Sequence, residues 1–166
     1  MKERTLVVNS TSKTFSMTGW RVGYILGAAE IIGTLQNCHE HMAICPTSFA
    51  QQGSVAAYTQ ELPETKEMVE EYRKRREYIV GALSEIKELS FYEPKGAFYV
   101  FIDVKKTGQT GADFCLGLLN NKGVATASGE SFGKQWADYI RISYCCSMED
   151  LQEAVRLIKE YINEIK

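Results

Sequence analysis

The 166-residue sequence is short of several features that would mark out its class. No run approaches the ~18–20 apolar residues that a membrane-spanning helix needs, which excludes such a span. The start, "MKERTLVVNS", has at most four apolar residues before polar ones resume, too few for a signal peptide or anchor, so the expected location is cytoplasmic. Like charges never run beyond "RKRR" at 73–76, and 19 basic against 21 acidic residues leave a net charge of −2. A nucleic-acid partner would need a concentrated basic face, and this balance argues against one. There is no C-x-x-C pair. The five cysteines (Cys38, Cys45, Cys115, Cys145, Cys146) are odd in number and read as reduced, mostly buried small hydrophobes. The two histidines lie in "CHEH", where Cys38 and His41 could share a helix face, but two ligands are not a site, and no metal is expected. The pattern G-x-x-x-x-G-K-[ST] is absent too, which excludes a nucleotide P-loop by that pattern.

What is present is an ordinary globular composition, 45% hydrophobic and 24% charged, long enough to bury a core. "RTLVVNS" and "WRVGYILG" are short apolar runs that predict buried strands at about 4–9 and 21–27, of the kind that suits a sheet covered on both faces. A helix is predicted from Ala28 to about Ala43. Pro46 ends it, and a second follows, capped by Thr47 or Ser48. A long amphipathic helix opens at Pro63, with "RKRR" on its solvated face.

Next come a strand in "KGAFYVFIDV", a helix in "GADFCLGLLNNKG", and strands in "VATAS" and "YIRISY". The last helix opens on a Ser147…Asp150 capping pattern. Residues 60–166 thus predict a three-strand, three-helix α+β unit. The two leading strands have almost nothing to pair with, like the end of a larger sheet.

The chemistry concentrates in "NSTSKTFSMTGWRVGY", residues 9–24. A lysine becomes a useful nucleophile through partial burial and nearby positive charge, and Arg21 follows Lys13 by eight residues. A guanidinium with the Ser10 and Ser12 hydroxyls and loop N–H groups would make a phosphate cradle. On residue types alone, a polar surface loop with one lysine and one salt-bridged arginine is the preferred reading of the stretch.

This segment, with S-x-S-K followed by G-x-R-x-G-(Y/F), resembles the lysine segment of class I/II aminotransferases, the fold type I pyridoxal-phosphate enzymes. "PKGAFYVF" (94–101) resembles that family's small-domain strand entry. "GVATASGESFG" (123–133) is similar to its Gly-Val…Gly-x-x-Phe-Gly turn. "YIRISYCCSMEDLQEAVRLI" (139–158) is similar to its arginine-bearing strand and last helix. The likeness runs in order along nearly the whole chain, closest in feel to the aspartate/aromatic subgroup.

The resemblance implies an α/β fold of the type I pyridoxal-phosphate transferases, represented by the end of the large-domain sheet (1–45) and by connecting helices with the α+β C-terminal small domain (46–166). It implies transfer of an amino group between an amino acid and a 2-oxo acid. Lys13 matches the lysine that carries pyridoxal 5'-phosphate as a Schiff base and then serves as base. Ser10, Ser12 and Arg21 match the cofactor-phosphate contacts, and Arg141 the fork that takes the substrate α-carboxylate. Without the resemblance, Arg141 would read as a strand-edge salt bridge.

Two departures stand out: Ser128 where relatives usually carry proline, and Cys145–Cys146 where small residues are usual. Family members are more than twice as long and homodimeric. The chain is therefore expected to lack the aspartate at the pyridinium nitrogen and the ring stacked on the cofactor, and to hold cofactor weakly by itself. The alternative is a non-catalytic truncated fragment, a structural or partner-binding module whose strand edges invite pairing.

Overall fold

The computed structural model describes residues 1–166, which form two compact units, Met1–Glu67 and Met68–Lys166. In the first of them, the helix that follows Pro46 supplies Tyr58, whose ring meets Phe15 at 4.9 Å and Tyr24 at 5.8 Å.

In that unit, β1 (Val7–Ser10) runs antiparallel to β2 (Gly23–Leu26), with Ser10 opposite Gly23 and Val7 opposite Leu26. Between them lie α1 (Thr11–Thr14) and a 3₁₀ turn, Thr18–Trp20. Two helices follow, α2 (Ala29–Ala43) and α3 (Ser48–Thr59). The strands are shorter than the apolar runs that announced them, and they are not buried. Val8 is 72% and Leu26 58% exposed, because each strand has only the other as a hydrogen-bonded neighbour and Tyr58 packs on the ladder only at Tyr24. Thr47 does take the N-cap position of α3, but its side chain makes no capping hydrogen bond.

The second unit holds nearly all of the long helix α4 (Pro63–Ser84), then β3 (Ser90–Phe91), β4 (Tyr99–Asp103), α5 (Gly111–Lys122), β5 (Ala127–Ser128), β6 (Tyr139–Ser143) and α6 (Met148–Glu164). The sheet is antiparallel in the order β3-β4-β6-β5. It has four strands rather than three. The extra one, β3, is only two residues long and exists through its pairing with Asp103 and Ile102. In "VATAS" only Ala127 and Ser128 pair.

Strand alternation sorts this sheet into two faces. Val100 and Ile102 of β4 and Ile140 and Ile142 of β6 join Leu83 of α4, Phe114 and Leu118 of α5, and Leu151, Val155 and Ile158 of α6 in one core. Tyr99, Phe101, Tyr139 and Arg141 fall on the opposite, half-buried face. The ends of α5 and α6 follow their sequence signals. Thr110 Oγ1 accepts from the Asp113 N–H, Gly123 closes α5 in the left-handed conformation, and Ser147 Oγ accepts from the Asp150 N–H at 3.0 Å. On α4 the basic run is largely neutralised. Arg73 pairs with Glu70 and Glu77, Arg75 with Glu71 and Arg76 with Glu93, which leaves no concentrated basic face there.

Candidate active site

The sequence-predicted residues fall in both units, and each unit is described by itself. In the first, Ser10 ends β1 in extended conformation and takes the N-cap position of the single helical turn α1 without a side-chain capping bond, and Ser12 and Lys13 follow on that turn. Lys13 is therefore held by a helical turn rather than by an irregular loop. The turn is tied to the chain just after Arg21: Thr11 is almost fully buried, its N–H donates to the Val22 carbonyl at 3.3 Å, and its hydroxyl donates to the same oxygen at 3.2 Å. The Ser10 N–H is taken by Asn9 Oδ1 at 2.8 Å.

Arg21 is not at the start of a strand. It closes the 3₁₀ turn with φ 54° and ψ 44°, in the left-handed region, and its Nη1 donates to the Thr18 carbonyl at 2.9 Å. Ser16 also has φ 54°, so two of the four non-glycine residues with positive φ fall between Lys13 and β2. Such residues persist only where surrounding contacts over-determine them. Here those contacts are the Thr11–Val22 bonds on one side and Trp20 on the other, whose ring lies on Gly53 and meets Phe49 at 6.0 Å. Ser10, Ser12, Lys13 and Arg21 thus share one short β-turn-β segment. No carboxylate occurs between residues 9 and 24.

Arg141 lies in the second unit, on β6. That strand is interior to the sheet, between β4 and β5, and Arg141 is partner to Phe101 on one side and Ala127 on the other. It makes no ion pair. Its guanidinium carbon sits instead over two rings, 4.2 Å from the centre of Tyr99 and 4.7 Å from that of Phe132. The strand-edge salt bridge that residue type alone suggested is therefore replaced by aromatic contacts on an inner strand. Tyr99 and Phe132 were not singled out in the sequence as partners of this arginine. The available signals were the alternation of β4 and the phenylalanine inside the glycine-bounded turn.

Of the other residues weighed from the sequence, Cys38 and Cys45 are exposed rather than buried, and Cys145 is exposed with its thiol 2.9 Å from Ser143 Oγ. No group of three or more His, Cys, Asp or Glu is arranged to hold a metal. No helix is long and apolar enough to cross a membrane.

The chain superposes on the aromatic aminotransferase of Pyrococcus horikoshii OT3 with a TM-score of 0.95 at 37% identity, covering 99% of this chain and 44% of that one. For the aspartate aminotransferase of Rhizobium meliloti the score is 0.91 at 35% identity, over 98% of this chain and 42% of the other. The family model for aminotransferase class I and II matches residues 1–158, and the chain belongs to that family. Among curated relatives, it is 36% identical to the aspartate aminotransferase of Sulfurisphaera tokodaii and 37% identical to that of Bacillus subtilis. Those alignments cover 98% and 99% of this chain but 42% of each relative, so the chain spans about two fifths of their length.

Proposed function

We propose that this chain carries the lysine and the substrate-carboxylate arginine of an aminotransferase that moves an amino group between an amino acid and a 2-oxo acid, with pyridoxal 5'-phosphate as cofactor. The observation that supports this most is the donor set of the Lys13 turn. Two hydroxyls, an amine and a guanidinium lie along one short segment with no carboxylate, a donor set that suits a dianionic phosphate and an aldehyde. Ser10, Ser12 and Arg21 would hold the phosphate, and Lys13 the aldehyde carbon. Bound there, the cofactor supplies an electron sink for the carbanion left by Cα deprotonation.

The chain's own residues do the rest. The Lys13 amine, once free, would take the proton from the substrate Cα as general base and then serve, in its protonated form, as general acid. Arg141 binds the α-carboxylate through two parallel N–H···O bonds, which fixes the substrate in orientation as well as in place. An arginine suits this task better than a lysine, because a planar fork defines a plane and a point charge does not. We propose further that the first unit is the end of a large cofactor domain and the second a small domain, that the working assembly is a homodimer, and that it acts in the cytoplasm. The last is supported by five cysteines with no disulfide among them.

The test is spectroscopic. The chain mixed with pyridoxal phosphate should give a near-visible absorption band, lost in Lys13→Ala and discharged by glutamate. No band with the wild-type chain would refute cofactor binding by this polypeptide.

A second reading, a non-catalytic module that binds a partner through strand edges, is favoured by the exposure of β1 and β2 on both faces. It predicts self-association of the chain by itself, in a form that pyridoxal phosphate does not change.

A further inference from the structure

Arg141 poses a problem that its proposed role makes sharper. A guanidinium meant for an incoming carboxylate must be held still, yet any carboxylate of the protein that holds it would occupy the same N–H groups. The acid on this face of β4, Asp103, is engaged elsewhere: its Oδ1 accepts from the Lys105 N–H at 2.8 Å. What meets Arg141 is aromatic, with Tyr99 at 4.2 Å and Phe132 at 4.7 Å from its guanidinium carbon. Ring faces attract a cation through their quadrupole and take none of its hydrogen bonds.

The placement of Phe132 is built into the backbone. Ser128 pairs with Ile140, one residue along from the Ala127–Arg141 pair, and the chain then turns through Gly129–Phe132. A Cβ on Gly129 would lie 2.3 Å from the Trp136 carbonyl oxygen and 2.7 Å from Tyr139 Cβ, so only glycine lets the turn approach β6 this closely. Gly133 then has φ 131°, outside the range of other residues, and its N–H closes the turn on the Glu130 carbonyl at 3.0 Å. Phe101, 5.9 Å from Phe132 and stacked at 5.0 Å on Tyr139, buttresses the ring from within the sheet. The spacing Gly-x-x-Phe-Gly therefore has a geometric purpose, to bring one ring onto one arginine.

We infer that Tyr99 and Phe132 are positioning residues that restrain the Arg141 guanidinium while leaving its N–H groups available for a substrate carboxylate. The inference rests on the reading that Arg141 binds that carboxylate, and the experiment separates the two. In the isotopically labelled chain, the Arg141 Nε–H signal is identified by its loss in Arg141→Lys and followed on titration with 2-oxoglutarate.

In the wild type this signal is displaced upfield by the ring currents and moves with ligand. Phe132→Leu and Tyr99→Leu each lose part of the displacement, the share of the ring removed, and weaken binding by about threefold to tenfold. Phe132→Tyr and Tyr99→Phe, which keep a ring, retain both. Phe132 is 46% exposed, so its leucine variant retains the fold, and the amide spectrum checks this. Leucine variants that bind like the wild type, while Arg141→Lys does not, would overturn the positioning role and leave the carboxylate reading standing. A wild type that binds no 2-oxoglutarate, or binds it no better than Arg141→Lys, would overturn the carboxylate reading and the positioning role with it.

Discussion

Gly23 and Ser10 face each other across the β1–β2 ladder with no room for a side chain at the glycine. A Cβ there would stand 2.7 Å from the Asn9 carbonyl oxygen and 3.3 Å from Ser10 Cβ. This contact ties the hydroxyl at the start of the lysine turn to the strand that follows Arg21. Gly23→Ala should push the strands apart and cost about 1–3 kcal/mol of stability, as overpacking does. It should also weaken pyridoxal-phosphate binding. A thermal melt reads the first effect and an absorbance titration the second.

The two capping positions predict a contrast. Ser147 accepts the Asp150 N–H at 3.0 Å, whereas Thr47 makes no side-chain capping bond. Ser147→Ala should therefore cost about 1 kcal/mol, and Thr47→Ala only a small fraction of that. Urea denaturation of the two variants side by side provides the comparison.

The cysteines should separate by reactivity. Burial pushes the Cys115 thiol above its ordinary range, only partly offset by its hydrogen bond from Thr126 Oγ1 at 3.0 Å. Cys38, Cys45 and Cys145 are exposed. At mildly alkaline pH, iodoacetamide should label those three well before Cys115, as peptide mass mapping would show. The sign for stability follows from the same shift. The folded state holds the Cys115 proton more tightly than the unfolded chain, so this contribution is fully present below the ordinary thiol range and is lost as pH rises from there through the raised folded-state value. Replacing Cys115 with Ala should flatten the fall in stability on the alkaline side.

How far these features could be read from the sequence depends on how local their causes are. The capping bond of α6 and the Gly123 close of α5 are set by neighbouring residues, and both stand where the sequence put them. β1 and β2 are exposed where their apolar runs predict burial, because an apolar run records what a strand could pack against, not whether anything is there. β3 leaves no mark in the sequence, because a two-residue strand has no periodicity and exists only through its partner β4. The helical turn under Lys13 is equally short and left no pattern. At Arg141 the family likeness picked out the residue, but its aromatic partners depend on the β4–β6 register and on a turn backbone, neither of which a local pattern encodes.

The most direct test of the account asks whether Lys13 differs in kind from the other lysines. The chain is incubated with substoichiometric pyridoxal phosphate, reduced with borohydride and digested, and the modified peptides are weighed. The account predicts that the label sits chiefly on the peptide containing Lys13, and that Arg21→Ala disperses it. Label spread evenly over the surface lysines of the second unit, with Lys13 no richer than they are, would contradict it.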